Sequence, residues 1–193
     1  MSSVSDPSDR PYADVTDEAL YHLVRRGDLR AFDVLYRRYE VRLFGFLLRM
    51  VRNHHDAEDL FHEAFVNMLR SREVTFDRAS FATWLYRIAR NLALNHLRSA
   101  RRKAVLPQQL MPELSPPIAQ EVLEQGERAA HLGIAVTTLP KLLAEIYKLR
   151  SAGLSYEEMA ATLQIPIGTV KSRMNQMVVR LHAQMQVQKT EKE

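Results

Sequence analysis

The chain has 193 residues, 46% of them hydrophobic and 26% charged, a globular composition that excludes wholesale disorder. It contains no cysteine, so disulfides, thiolate metal sites and cysteine nucleophiles are excluded. Lys and Arg total 27 against 23 Asp and Glu, a net charge of only +4, yet residues 78–103 hold seven basic side chains and no acid, a footprint suited to a polyanion.

The first residues lack a basic-then-apolar signal pattern, and no run approaches the roughly 18 apolar residues of a spanning helix. A cytoplasmic protein with no membrane insertion of its own is expected. Glycine is scarce, at 6 residues, and apolar side chains recur near every 3.6 positions, so the expected fold class is all-α.

Residues 1–15, rich in Ser, Asp and Pro, read as a disordered tail. Thr16-Asp17-Glu18 then caps a helix carrying Leu20, Leu23 and Val24, and Gly27-Asp28 interrupts it. From Ala31 onward Phe32, Leu35, Tyr39, Leu43, Phe46 and Met50 mark the inner face of a long amphipathic helix, with Arg37, Arg38, Arg42 and Arg49 largely elsewhere.

The next helix, over 53–70, contains the stretch HHDAEDLFHE, with three imidazoles and four carboxylates in ten residues. Such residue types suit hydrolytic metals, and a metal-dependent phosphohydrolase would use His55-Asp56 as a ligand pair with His62 or Glu63. A helical wheel opposes that, because Ala57, Leu60, Phe61, Ala64 and Met68 form the inner stripe while Asp56, Asp59 and Glu63 point away from it. A catalytic metal needs a concave, supported pocket. The acids read better as a docking face, with Phe65 and Leu69 as exposed apolar neighbours; no catalytic residue, metal or cofactor is expected.

A polar loop over 71–80 leads to a helix over 81–102, FATWLYRIARNLALNHLRSARR, expected to bury Phe81, Leu85, Ile88 and Leu92. Its remaining surface carries Arg87, Arg90, Asn91, Asn95, His96 and Arg98. Cationic, amide and aromatic side chains together suit opened or single-stranded DNA, where bases stack on rings and the backbone follows positive charge. Trp84 and Tyr86 either join that surface or belong to the core.

Residues 104–130 form a flexible Pro-rich linker, because Pro107, Pro112, Pro116 and Pro117 forbid a continuous helix, although 121–135 could form one. A second helical domain, 131–185, follows, with a helix from Leu139-Pro140 to about Ala152 that Gly153 stops, and then a short tail over 186–193. Within it Ser155 and Glu158 form a capping box, Gln164-Ile165-Pro166 makes a turn, and Pro166 suits the first position of a second helix running to about His182. Val170, Met174, Met177 and Leu181 give that helix a buried stripe. The other face carries Thr169, Lys171, Ser172, Arg173, Asn175, Gln176 and Arg180, the side chains needed to read base edges and hold phosphates. This reads as a helix-turn-helix whose second helix enters the major groove, with a plain helical hairpin as the alternative.

HDAEDLFHEAFVNML, then FATWLYRIARNLALNHLR, then GLSYEEMAATLQIPIGTVKSR after a linker, together resemble the bacterial sigma factors of the sigma-70 family, in their compact extracytoplasmic-function form. The resemblance spans about 16–182. It implies a region 2 over 16–103 that binds core RNA polymerase, on its β′ clamp and β subunit, and opens the minus-ten promoter element. A region 4 over 131–185 would read the minus-thirty-five element. Implied polymerase contacts are Asp56, Asp59, Leu60, Glu63, Phe65 and Leu69. Implied minus-ten contacts are Arg78, Ser80, Trp84, Arg87, Arg90, Asn91, Asn95, His96 and Arg98, with the loop 73–80 accepting a flipped base. Implied minus-thirty-five contacts are Thr169, Lys171, Ser172, Arg173, Asn175 and Gln176.

Promoter DNA and an anti-sigma factor, which could hold the protein at the inner membrane, are the implied partners, with a stress or environmental signal as trigger. Two departures from the family pattern stand out. Met174-Asn175-Gln176 follows VKSR where a His-Arg type pair is usual, implying fewer phosphate contacts, and Asn95 and Ala82 replace a common Asp and Arg. A stand-alone helix-turn-helix regulator is the alternative, but it would leave the acidic face and the basic aromatic helix without a task.

Overall fold

A computed structural model describes residues 11–71, 74, 76, 80–104, 136 and 138–190. Among them are seven α-helices and no strand: α1 Asp17–Arg25, α2 Leu29–Val51, α3 His54–Arg70, α4 Phe81–Ala104, α5 Lys141–Ser151, α6 Tyr156–Leu163 and α7 Ile167–Thr190. The chain divides into two units, Met1–Gln109 and Leu110–Glu193. All of the expected linker after Ala104, which ends α4, the possible helix over 121–135 and Arg78 lie outside the described residues.

In the first unit the local chemistry sets each helix end. Thr16 caps α1 by accepting from the Ala19 N–H, Asp28 caps α2 through Ala31, and Asn53 caps α3 through Asp56. Gly27, at φ +93°, makes the α1–α2 corner in backbone that an L side chain rarely adopts. Helix α2 is the spine and packs against α1, α3 and α4.

Its Leu35, Tyr39, Leu43, Phe46 and Leu47 are almost wholly buried. They meet Leu20 and Tyr21 of α1, Phe61, Ala64 and Met68 of α3, and Phe81, Leu85 and Ala89 of α4 in the core of this unit. Burial of a large apolar side chain stabilises by about 1.5–3 kcal/mol, so these residues decide the fold.

Order begins earlier than expected, because Arg38 clasps part of the supposed tail. Its guanidinium donates to the carbonyls of Tyr12, Ala13 and Val15 and to the Asp17 carboxylate at 2.6 Å. Tyr12 closes the loop by donating to Asp28 at 2.7 Å. Two N–H or O–H donors hold the Asp28 carboxyl below its ordinary pKa, the Ala31 amide first and then the Tyr12 hydroxyl. Tyr39 donates to Asp17, and its phenol is pushed far up, mainly by burial. Tyr21, unassigned by periodicity, is fully buried against Phe81 and Trp84.

In the second unit the capping box and the turn stand where the sequence predicts them. Ser155 and Glu158 exchange hydrogen bonds of 2.9 and 3.1 Å in a capping box. Gln164, in the left-handed region at φ 56°, ends α6 and returns its N–H to the Ala160 carbonyl. Three residues separate α6 from α7. Pro166 sits just before α7, one position earlier than expected, and its carbonyl accepts from Thr169 and Val170. Leu139 and Leu143 pack against Met177 and Leu181, with Tyr147 and Met174 at the edge. Helix α7 runs on to Thr190, past the expected end near His182 and through most of the supposed tail.

Candidate functional site

Three surfaces carry the chemistry, two on the first unit and one on the second. On α3 the inner stripe is the expected one, Ala57, Leu60, Phe61, Ala64 and Met68, joined by Phe65. Phe65 is only 3% exposed, packed against Phe32, Tyr36 and Phe61, so it is core and not part of the apolar rim. Leu60 is likewise buried. The outward face presents Glu58, Asp59, His62 and Glu63, and its exposed apolar members are Val66 and Leu69, 39% and 42% accessible. Val66 was legible on the wheel, three residues beyond Glu63 on the same side.

The histidines of this stretch are spread among separate partners. His54 meets Phe44 edge-on, His62 shares a 3.3 Å hydrogen bond with the Tyr36 hydroxyl, and His55 pairs with Asp59 at 3.3 Å. The His55 imidazole is held above its ordinary pKa, first by a hydrogen bond to its own backbone and then by the Asp59 carboxylate. Asp56 leans the other way and meets His96 of α4 at 3.1 Å. Among the described residues no three His, Asp or Glu side chains converge as a metal site would require.

On α4 the inner face is broader than the expected stripe. Phe81, Thr83, Trp84, Leu85, Tyr86, Ala89 and Ala93 are buried, while Ile88 and Leu92 are only half-buried, because α4 packs on α1, α2 and α3 together. Trp84 is therefore a core residue, 8% exposed, with edge-on contacts to Tyr21, Phe76 and Phe81. Of the two readings open for Trp84, core or DNA-facing surface, its burial in this structure favours the core.

What remains outside is one line, Arg87, Asn91, Asn95 and Arg98, at steps of four, four and three, with Arg101 and Arg102 beyond it. Arg98 donates to the Asn95 amide oxygen at 3.4 Å, and His96 and Arg90 flank the line half-buried. Ser80 caps the helix through Thr83, and the Glu18 carboxylate of α1 accepts from the Phe81 N–H at 2.7 Å. Glu18 is a residue that periodicity could not flag, since it acts across the sequence on another helix's first turn. Cations and amides on one exposed ridge, free of carboxylates, can follow a phosphate backbone and hydrogen-bond base edges.

On α7 the structure exposes Lys171, Ser172, Arg173, Asn175 and Gln176, with Thr169 half-buried, opposite the buried Val170, Met177 and Leu181. Arg173 donates to the Gln176 amide oxygen at 2.8 Å, and Ser172 to the Thr169 carbonyl at 3.0 Å. Val178 and Val179 leave this face 55% and 61% accessible beyond the reading positions. Two helices across a three-residue turn, the second polar and cationic outward, have the geometry of a major-groove reader.

Family models match in the same order along the chain, Sigma-70 region 2 over residues 35–103 and Sigma-70, region 4 over 129–181. RNA polymerase sigma-H factor of Pseudomonas aeruginosa is 35% identical over 176 residues, covering 81% of this chain and 87% of that protein. The chain belongs to the sigma-70 family. The ECF RNA polymerase sigma-E factor of Haemophilus influenzae is 33% identical over 82% of this chain and 89% of its own length, which places the chain in the extracytoplasmic-function group.

The fold is shared with solved structures at 23% identity: CnrH in complex with the cytosolic domain of CnrY, at a TM-score of 0.64 over 89% of this chain, and RpoE in complex with the anti-sigma factor NepR from Bartonella quintana, at 0.61 over 81%. Each alignment covers 97% of the solved chain. Sigma factors initiate transcription without catalysing a reaction themselves, so the metallohydrolase reading of HHDAEDLFHE is set aside. Among the described residues no helix is long and apolar enough to cross a membrane.

Proposed function

We propose that this sigma factor docks on core RNA polymerase through the outer face of α3 and addresses promoter DNA with α4 and α7. In this reading 16–103 act as region 2, 104–130 as a linker and 131–185 as region 4. Asp59 and Glu63 meet cations on the polymerase β′ clamp, Val66 and Leu69 supply apolar burial beside them, and the β subunit forms the remaining contact. Arg87, Asn91, Asn95 and Arg98 follow and read the minus-ten element as it opens. Thr169, Lys171, Ser172, Arg173, Asn175 and Gln176 read the minus-thirty-five element as duplex.

The observation that carries this is the separation of charge within one small unit: exposed acids on α3, and an acid-free cationic ridge on α4. A stand-alone duplex binder has no use for the acidic face. An anti-sigma factor controls access to these surfaces, as the complexes of the structural neighbours with CnrY and NepR support. Such a partner, membrane-bound or not, would link initiation to an environmental signal.

Adding the purified protein to core polymerase tests the reading: a stable complex that starts transcription at a defined promoter is expected, and no complex at any salt concentration would refute it. Reversing the charges with Asp59→Lys and Glu63→Lys is expected to weaken that complex by about tenfold, or about 1.4 kcal/mol. That matches two exposed ion pairs at ~0.2–1 kcal/mol each. Circular dichroism should show unchanged helicity.

A further inference from the structure

Asp56 stands in the sequence as one of three docking acids, but its surroundings differ from those of Asp59 and Glu63. The Asp59 side chain is 69% exposed and pairs with His55 of its own helix. Asp56 is 38% exposed and reaches off α3 to His96 of α4, Oδ2 to Nε2 at 3.1 Å. Its backbone is fixed as well, because the Asp56 N–H donates to the Asn53 cap at 3.0 Å. The pair thus joins the first turn of the acidic helix to the middle of the DNA-facing helix.

We infer that Asp56 is a positioning residue for the DNA-facing surface of α4, acting through His96, and is not a polymerase contact. The inference rests on the functional reading above. An ionised carboxylate only accepts hydrogen bonds, so Nε2 of His96 must carry the proton in this pair. Asp56 therefore selects the Nε2–H tautomer and holds the ring plane. His96 lies between Asn95 and Arg98, whose own hydrogen bond forms the adjoining part of the exposed ridge. A ring held at one edge leaves Nδ1 as its remaining hydrogen-bonding atom, with a set direction. A single partly exposed hydrogen bond of this kind adds little to stability, so its consequence is geometric.

The test reconstitutes holoenzyme with the full chain carrying Asp56→Ala, Asp56→Asn or Asp59→Lys. For Asp56→Ala, polymerase affinity is expected to stay at the wild-type value while the rate of promoter opening falls roughly tenfold or more, as misplaced contacts do. Asp56→Asn keeps an oxygen that accepts from Nε2–H and should restore most of the rate.

In the free protein, two-bond nitrogen-proton correlations should report the Nε2–H tautomer of His96 in wild type and Asp56→Asn, and a mixture in Asp56→Ala. A loss of polymerase affinity in Asp56→Ala as large as that of Asp59→Lys would overturn the inference and leave the sigma reading standing. So would unchanged opening, or an unchanged tautomer. Wild-type protein that binds no polymerase would instead remove the functional reading, and with it the role given to the pair.

Discussion

Phe65 and Leu69 are one helical turn apart on α3, yet one is core and the other rim. Phe65 faces α2 and meets Phe32 and Tyr36, whereas Leu69 lies in the last turn with its side chain 42% accessible. Phe65→Ala is therefore expected to destabilise the first unit by about 3–5 kcal/mol, measured by denaturant unfolding. Leu69→Ala should stay within about 0.5 kcal/mol while weakening the polymerase complex. The four-residue spacing of Phe65 from Phe61 carries it to the inner side of α3, so its burial is legible in the sequence. Trp84 is different: on a helix flanked by cationic residues, only the arrival of Tyr21 and Phe76 from elsewhere in the chain makes it core.

At the scale of elements, the outer face of α7 carries side chains of two types. Lys171 is exposed with a flexible stem and suits a phosphate, whereas Arg173 is oriented by Gln176 and suits a base edge. Lys171→Ala should weaken promoter binding evenly across sequences and lower the slope of log affinity against log salt by about 0.9. Arg173→Ala should relax preference at one base pair, by about 1–3 kcal/mol. Binding titrations over several salt concentrations and site variants measure both. The second unit was the more legible because the capping box, the turn and the buried stripe are all local in sequence. For α4 the one-stripe expectation failed because three helices surround it, so Ala89 and Ala93 are buried where a two-helix contact would bury Ile88 and Leu92 fully.

For the whole molecule, each unit closes its own core, the first around α2 and the second around α5 and α7. A unit with a core of its own could in principle fold alone. Calorimetry should resolve two transitions, and Phe65→Ala should lower one midpoint while leaving the other in place. A single transition that moves as a whole would show the units to be coupled.

The all-α class with two helical domains, the helix-turn-helix, the acidic and cationic blocks and most helix ends to within a few residues followed from the sequence alone; the end of α7 did not. Caps, prolines, glycines and 3.6-residue periodicity act within a few residues of one another, so the order of the chain is enough to reveal them. The tertiary structure decided which side chains stay at the surface and which meet across the fold. Arg38 clasping the segment before α1, Glu18 capping α4, Trp84 sinking into the core and Asp56 turning from the acidic face to His96 each join residues distant in the chain. Those pairings exist only once α2 has brought its neighbours together, because a hydrogen bond or ring contact is fixed by separation in space.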